Sequence, residues 1–133
     1  MTGAYDASMN KSDVQDWLDR YVAAWRSNDR TAIESLFTED AVYGYRPWDS
    51  DRHTVRGAAA IADSWLEEPD APDGWDARYE PFAVDGDRAV ALGWSRYAAT
   101  DGELERVYHN AFVLEFAPEG RCRAFHEFYM LKD

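Results

Sequence analysis

A single cysteine, Cys122, stands among 133 residues, so no intrachain disulfide can form, which suits a reducing compartment. Basic residues are also scarce: 14 Lys and Arg against 26 Asp and Glu leave a net charge of −12. No Lys/Arg cluster interrupts that acidity. Such a surface repels phosphate backbones and anionic headgroups, which argues against nucleic acid and against a membrane as partners. No apolar run approaches the ~18 residues of a membrane helix. Residues 1–10 carry neither a basic n-region nor an apolar h-region, so no export signal is expected and the expected location is cytoplasmic. Three histidines and one cysteine, scattered along the chain, make no metal-ligand cluster. A Gly-rich phosphate loop, a nucleophile elbow and a zinc motif are all missing, so neither a metal nor a nucleotide cofactor is expected.

What the chain does have is apolar and aromatic material: 46% apolar residues, with 15% Phe, Trp and Tyr, enough to bury a core and exclude general disorder. The length fits one domain. Residues 1–11 are small and polar and read as a flexible leader, leaving 12–133 as a single domain. Ser12 and Gln15 frame a capping box, after which Val14, Trp17, Leu18, Tyr21, Val22 and Trp25 form one helical stripe. Thr31 with Glu34 predicts a second cap, and Ile33, Leu36 and Phe37 a short second helix. Ala41–Tyr45 reads as a short strand, 47–56 as a loop, and Gly57–Glu68 as a third helix closed by Pro69. From Trp75 the apolar period changes from about 3.6 to 2. Four long strands are predicted over 75–84, 87–99, 104–117 and 121–131, with turns at Asp85-Gly86, Asp101-Gly102 and Pro118-Glu119-Gly120, each expected to hold Gly at positive φ. Helices followed by an antiparallel meander give an α+β class. Long strands must twist and curl, and a curled sheet crossed by helices encloses a conical space.

Several segments resemble the nuclear transport factor 2-like superfamily, which includes ketosteroid isomerase and the SnoaL-like domains. They are Asp19-Arg20-Tyr21-Val22-Ala23-Ala24-Trp25, the stretch Asp29 to Phe37, and Thr38-Glu39-Asp40-Ala41-Val42-Tyr43. Val55-Arg56-Gly57 with Ile61, and Tyr108 to Phe116 followed by Gly120-Arg121-Cys122 and Glu127-Phe128-Tyr129, extend the likeness over about residues 13–131. The resemblance implies a cone-shaped half-barrel, a curved antiparallel sheet wrapped around N-terminal helices, commonly dimeric and with a ligand cavity. Against the ketosteroid isomerase pattern, the oxyanion-hole tyrosine falls on Tyr21. The general-base aspartate falls on Tyr45 and the second acid on Phe112. Two of three chemical groups are therefore missing, and a tyrosine is a poor proton acceptor at neutral pH, so steroid-type isomerisation is not expected.

The register implied by the family turns Tyr108, Asn110, Phe112, Leu114 and Phe116 inward, then Phe125, Glu127, Tyr129 and Leu131, and on the second long strand Val90, Leu92, Trp94 and Arg96. The other face of that strand, Ala89, Ala91 and Gly93, suits close packing against a dimer mate. Glu127 is the most informative residue, because a carboxylate among aromatic rings costs several kcal/mol unless paired. Arg96 and Asn110 are its expected partners. Glu127, Arg96 and Tyr21 form the candidate catalytic set, and Trp25, Tyr45, Trp65, Trp94, Tyr108 and Tyr129 complete the expected pocket wall together with Asn110, Phe112 and Phe125. Trp48, Asp49, Asp51 and His53 lie on the loop after Tyr45, where His53 is a weaker candidate. His109 and His126 fall on the opposite parity, which places them on the outer face. Three readings stay open: a cofactor-independent acid/base enzyme of isomerase, dehydratase, cyclase or hydrolase type acting on a small apolar or aromatic molecule; a non-catalytic carrier of such a molecule; and a structural dimer with a packed cone. In each case a homodimer through the outer sheet face is expected.

Overall fold

The computed structural model describes residues 9–44 and 54–132. Helix α1 spans Lys11–Ser27 and α2 Arg30–Glu34. Strand β1 (Phe37–Gly44) and the short β2 (Thr54–Arg56) precede α3 (Ala58–Glu67), and the chain ends in β3 (Trp75–Asp85), β4 (Arg88–Tyr97), β5 (Arg106–Phe116) and β6 (Cys122–Leu131). The six strands form one sheet in the order β2-β1-β6-β5-β4-β3. The sheet curls around the helices as an unclosed, cone-shaped α+β half-barrel.

The meander β3–β6 is antiparallel throughout, as expected. The sheet is larger than the sequence suggests, because β1 joins β6 in parallel and Thr54–Arg56, expected as loop, pairs with β1 as β2. Phe37, expected in the second helix, instead opens β1. Both caps sit two residues upstream of the predicted positions. Asn10 caps α1, its side chain accepting from the Asp13 amide at 2.8 Å while the Asp13 carboxylate accepts from the Asn10 amide at 3.1 Å. This is the reciprocal box expected at Ser12, moved to the residue whose side chain reaches the free amide. Asp29, and not Thr31, caps α2. Gly86 and Gly120 adopt positive φ in their turns, whereas Gly102 does not.

The α1 stripe supplies the core: Val14, Trp17, Leu18, Tyr21 and Ala24 are buried. Trp17 sits at its centre, stacked on Tyr21 with ring centroids 5.5 Å apart and edge-on to Phe37 and Phe116, while its indole N–H donates to the Leu36 carbonyl at 3.0 Å. Each such ring pair adds about 1 kcal/mol beyond the area it buries. On β5 and β6 the alternation matches expectation, with Asn110, Phe112, Leu114, Phe116 and Phe125 buried toward the helices.

On β4 the expected parity is inverted. Ala89, Ala91 and Ser95 are buried toward the helices, whereas Leu92 is 40% exposed and Arg96 is exposed. The cause lies in the neighbouring strands. Tyr79 is paired with Gly93 and Phe112 with Ala91, and the two rings meet 4.5 Å apart across β4. A Cβ on Gly93 would collide with the Arg78 carbonyl and the Tyr79 ring. The small face of β4 is therefore the bed for these rings and not a subunit contact, and Trp94 and Arg96 point away from the cone.

Candidate functional site

Two connected spaces open inside the cone. The inner chamber, about 230 Å³, lies between α1, α3 and the sheet. The outer vestibule, about 450 Å³, opens beside the far ends of β4–β6. Asp70, Ser95, Tyr97 and Glu127 line both, which sets Glu127 at the neck between them.

Strand pairing places the polar groups. Gly93 faces Asn110 across β4–β5 and Asn110 faces Tyr129 across β5–β6, so side chains from three strands converge on the inward face. The Ser95 hydroxyl donates to Asn110 Oδ1 at 3.2 Å, and Asn110 Nδ2 donates to Glu127 Oε2 at 2.6 Å. Ser95 thereby fixes which end of the amide meets the carboxylate. Glu127 Oε1 accepts nothing from the described residues, and among them no basic side chain forms an ion pair with this carboxylate. Burial pushes the carboxyl up from 4.5 to about 7, partly offset by the Asn110 hydrogen bond.

The chamber wall is largely phenolic. Tyr21 from α1, Tyr43 from β1 and Tyr79 from β3 surround Glu127. Burial raises all three hydroxyls well above the ordinary tyrosine range, and the nearby Glu127 charge adds to this. They stay protonated and are therefore standing hydrogen-bond donors. Trp25 and Trp65 complete the wall. Trp25 is clamped from behind, stacked on Trp75 at 3.7 Å, and its indole N–H donates to Asp70 at 2.9 Å. Asn28, in the left-handed conformation that ends α1, donates to the Asp70 carbonyl at 3.2 Å and so ties the mouth segment to the helix end.

The structure brings Glu127, Tyr21, Trp25, Trp65 and Asn110 to these spaces and sets Tyr108 and Tyr129 at the vestibule. Other expectations are corrected. Arg96 does not reach the cone. It pairs with Glu105 at 3.2 Å on the outer side, because β4 carries its small residues inward. Trp94 lies on the same outer face beside His109. Phe112 and Phe125 are fully buried beneath the chamber, packed on Tyr21, and do not line it. Tyr45, Trp48, Asp49, Asp51 and His53 lie outside the described residues. Sequence reasoning missed Tyr43, Tyr79, Ser95, Tyr97 and Asp70. For Tyr79 the signal was present, since Trp75, Ala77 and Tyr79 alternate cleanly with Asp76, Arg78 and Glu80. Among the described residues no His, Cys, Asp and Glu group of three or more is arranged to hold a metal ion, and no helix is long and apolar enough to cross a membrane.

The SnoaL-like domain family matches residues 18–125 of this chain. Among solved structures, a putative isomerase from Bacillus subtilis is similar with a TM-score of 0.69 at 18% identity, over 92% of this chain and 90% of that one. An epoxide hydrolase from Mycobacterium tuberculosis, described as resembling the LEH type, is similar at 0.64 and 13%, over 90% and 84% of the two chains. A putative ketosteroid isomerase from Kribbella flavida is similar at 0.62 and 14%, over 90% and 79%. No curated protein matches the sequence.

Proposed function

The chain belongs to the SnoaL-like domain family, and on that footing we propose that it is a cofactor-independent acid/base enzyme acting on a small molecule held against Glu127. The observation that carries this reading is a carboxylate inside the cone with one oxygen fixed by Asn110, the other unengaged by any described residue, and a proton affinity raised toward neutrality by burial. A carboxyl whose proton affinity burial raises toward neutrality can take a proton and give it back within one cycle. Glu127 Oε1 collects a proton from the substrate, or from a water attacking it. A neighbouring tyrosine hydroxyl, Tyr21 foremost, donates a hydrogen bond to the oxygen on which charge develops. Glu127 then returns the proton to the product. Isomerase, dehydratase, cyclase and hydrolase chemistry all use this sequence of transfers. Similar folds described as isomerase and epoxide hydrolase support the class. The aspartate and second acid of ketosteroid isomerase have no equivalents at Tyr45 and Phe112, so steroid isomerisation stays outside the proposal.

The test is a panel of small cyclic ketones and epoxides followed by NMR in D2O. Deuterium incorporation or ring opening by the wild type is expected to fall at least ~100-fold in Glu127→Gln, with the circular dichroism spectrum unchanged. Equal rates in the two proteins would overturn the catalytic role.

A homodimer through the outer sheet face belongs to the same proposal, on residues other than those the sequence suggested. Leu92, Ala111 and Phe128 are successive cross-strand neighbours there, as are Trp94, His109 and Met130. Leu92, Val113, Phe128 and Met130 are exposed in the single chain. Light scattering at micromolar concentration is expected to give twice the chain mass, and a monomer there rejects the assembly.

A further inference from the structure

We propose that the chamber at Glu127 selects small organic cations, molecules with a protonated amine on an apolar frame, over their neutral and anionic counterparts. This rests on the reading of the cone as a small-molecule site and names its substrate class.

The first argument is the sign of the charges. Among the described residues, three carboxylates, Glu68, Asp70 and Glu127, line the two spaces against one guanidinium, Arg106. Arg106 is already engaged: it lies over the Tyr97 ring, 5.1 Å from its centroid, and 3.3 Å from Glu103. A buried carboxylate with no counter-charge among the described residues is held at a desolvation cost. An incoming ammonium supplies a charge opposite to Glu127 and Asp70 across the neck, whereas an anion adds repulsion. The second argument is the shape of the aromatic wall. Tyr21 and Trp65 meet at 89° and Tyr21 and Trp25 at 67°, with ring centroids 5.3 and 6.3 Å apart. Trp25 and Trp65 line the chamber itself, so indole rings, the strongest π-partners of an ammonium group, border the space it would enter. Third, the phenolic oxygens of Tyr21, Tyr43 and Tyr79 can each accept an N–H as readily as they donate. Finally, the net charge of −12 gives the whole molecule a field that draws cations toward its clefts.

The experiment uses three probes of nearly equal size: benzylammonium, benzyl alcohol and benzoate, titrated calorimetrically into the full chain at pH 8. Benzylammonium is expected to bind at least tenfold more tightly than benzyl alcohol, with benzoate weakest. Moving to pH 5 is expected to reduce benzylammonium affinity severalfold as Glu127 takes up a proton. The groups facing Glu127 do not confuse this reading. Tyr21, Tyr43, Tyr79 and Tyr97 are held protonated by burial, and Asn110 is uncharged. Asp70, at the neck, and Glu68, in the inner chamber, are the further acids among the described residues, and Asp70→Asn separates the share of the one at the neck. Glu127→Gln is expected to abolish the preference for amine over alcohol, and Asp70→Asn to reduce it. Benzyl alcohol or benzoate binding as tightly as benzylammonium in the wild type overturns the proposal, as does a preference that survives in both variants. If the preference fails while Glu127→Gln still loses turnover, the acid/base reading stands alone. If the preference holds while turnover survives the substitution, the cation site stands without it.

Discussion

The two faces of the sheet carry similar apolar material to opposite ends. Toward the helices, β5 and β6 present large rings, and β4 between β5 and β3 presents Ala89, Ala91, Gly93 and Ser95. Away from the helices the sizes reverse, with Leu92, Trp94 and Arg96 on β4 beside Ala111 and His109 on β5. The inner face works as a unit across strands: a large ring on one strand requires a small neighbour on the next. The outer face obeys no such rule, because none of the described helices packs on it. Side-chain size along one strand is therefore a poor guide to which face is buried; the complementarity of sizes across strands decides it.

The sharpest way to test that contrast is to remove the carboxylate that the inner face holds. Burial raises the Glu127 carboxyl from 4.5 to about 7. Between these values the unfolded chain has released a proton that the native protein still holds. Stability thus falls as pH rises through this window, by up to about 3 kcal/mol once both values are passed. Glu127→Gln keeps an oxygen for the Asn110 amide and removes the penalty. At pH 8 the variant is expected to exceed the wild type by about 3 kcal/mol in urea unfolding, and the two should converge near pH 4. Equal stability at pH 8 would show that burial does not raise the proton affinity of this carboxyl.

Next in size is the bed beneath Tyr79. Gly93→Ala introduces one methyl group where the Tyr79 ring and the Arg78 carbonyl already meet, so a loss of about 2 kcal/mol is expected. A neutral result would show that the rings do not close over β4. The smallest effect belongs to the outer face. Arg96→Ala removes a pair with Glu105 in which both side chains are about half exposed, and the stability change should stay within about 0.5 kcal/mol. Any turnover found for the wild type should be unaffected. A large loss of activity would return Arg96 to the site.

Where the sequence could be read, the reason is visible in particular residues. On β5 the ring-bearing parity is also the buried one, so the register that the family resemblance implied for Asn110 and Glu127 agreed with the local alternation. The α1 stripe is equally plain, because Val14, Trp17, Leu18 and Tyr21 share one side of a helix. Strand β4 was illegible alone: Val90-Leu92-Trp94 looks more like a core than Ala89-Ala91-Gly93, and only the partners Tyr79 and Phe112 reverse that judgement. Tyr43 was hidden for another reason. Its position depends on β1 lying parallel to β6, where it pairs with Phe125 and stacks on its ring at 4.6 Å, a long-range match that no local pattern records. Asp70 reaches the mouth only because Trp25 and Asn28 hold a turn-forming segment against the end of α1.

Glu127 borders both spaces, and this bears on isotope bookkeeping. A molecule seated in the inner chamber covers one side of the carboxylate and leaves the other side facing the vestibule. Under the proposed acid/base role, a hydrogen collected from that molecule can exchange with bulk water while its donor is still seated. Label lost to the medium should therefore exceed label carried into product.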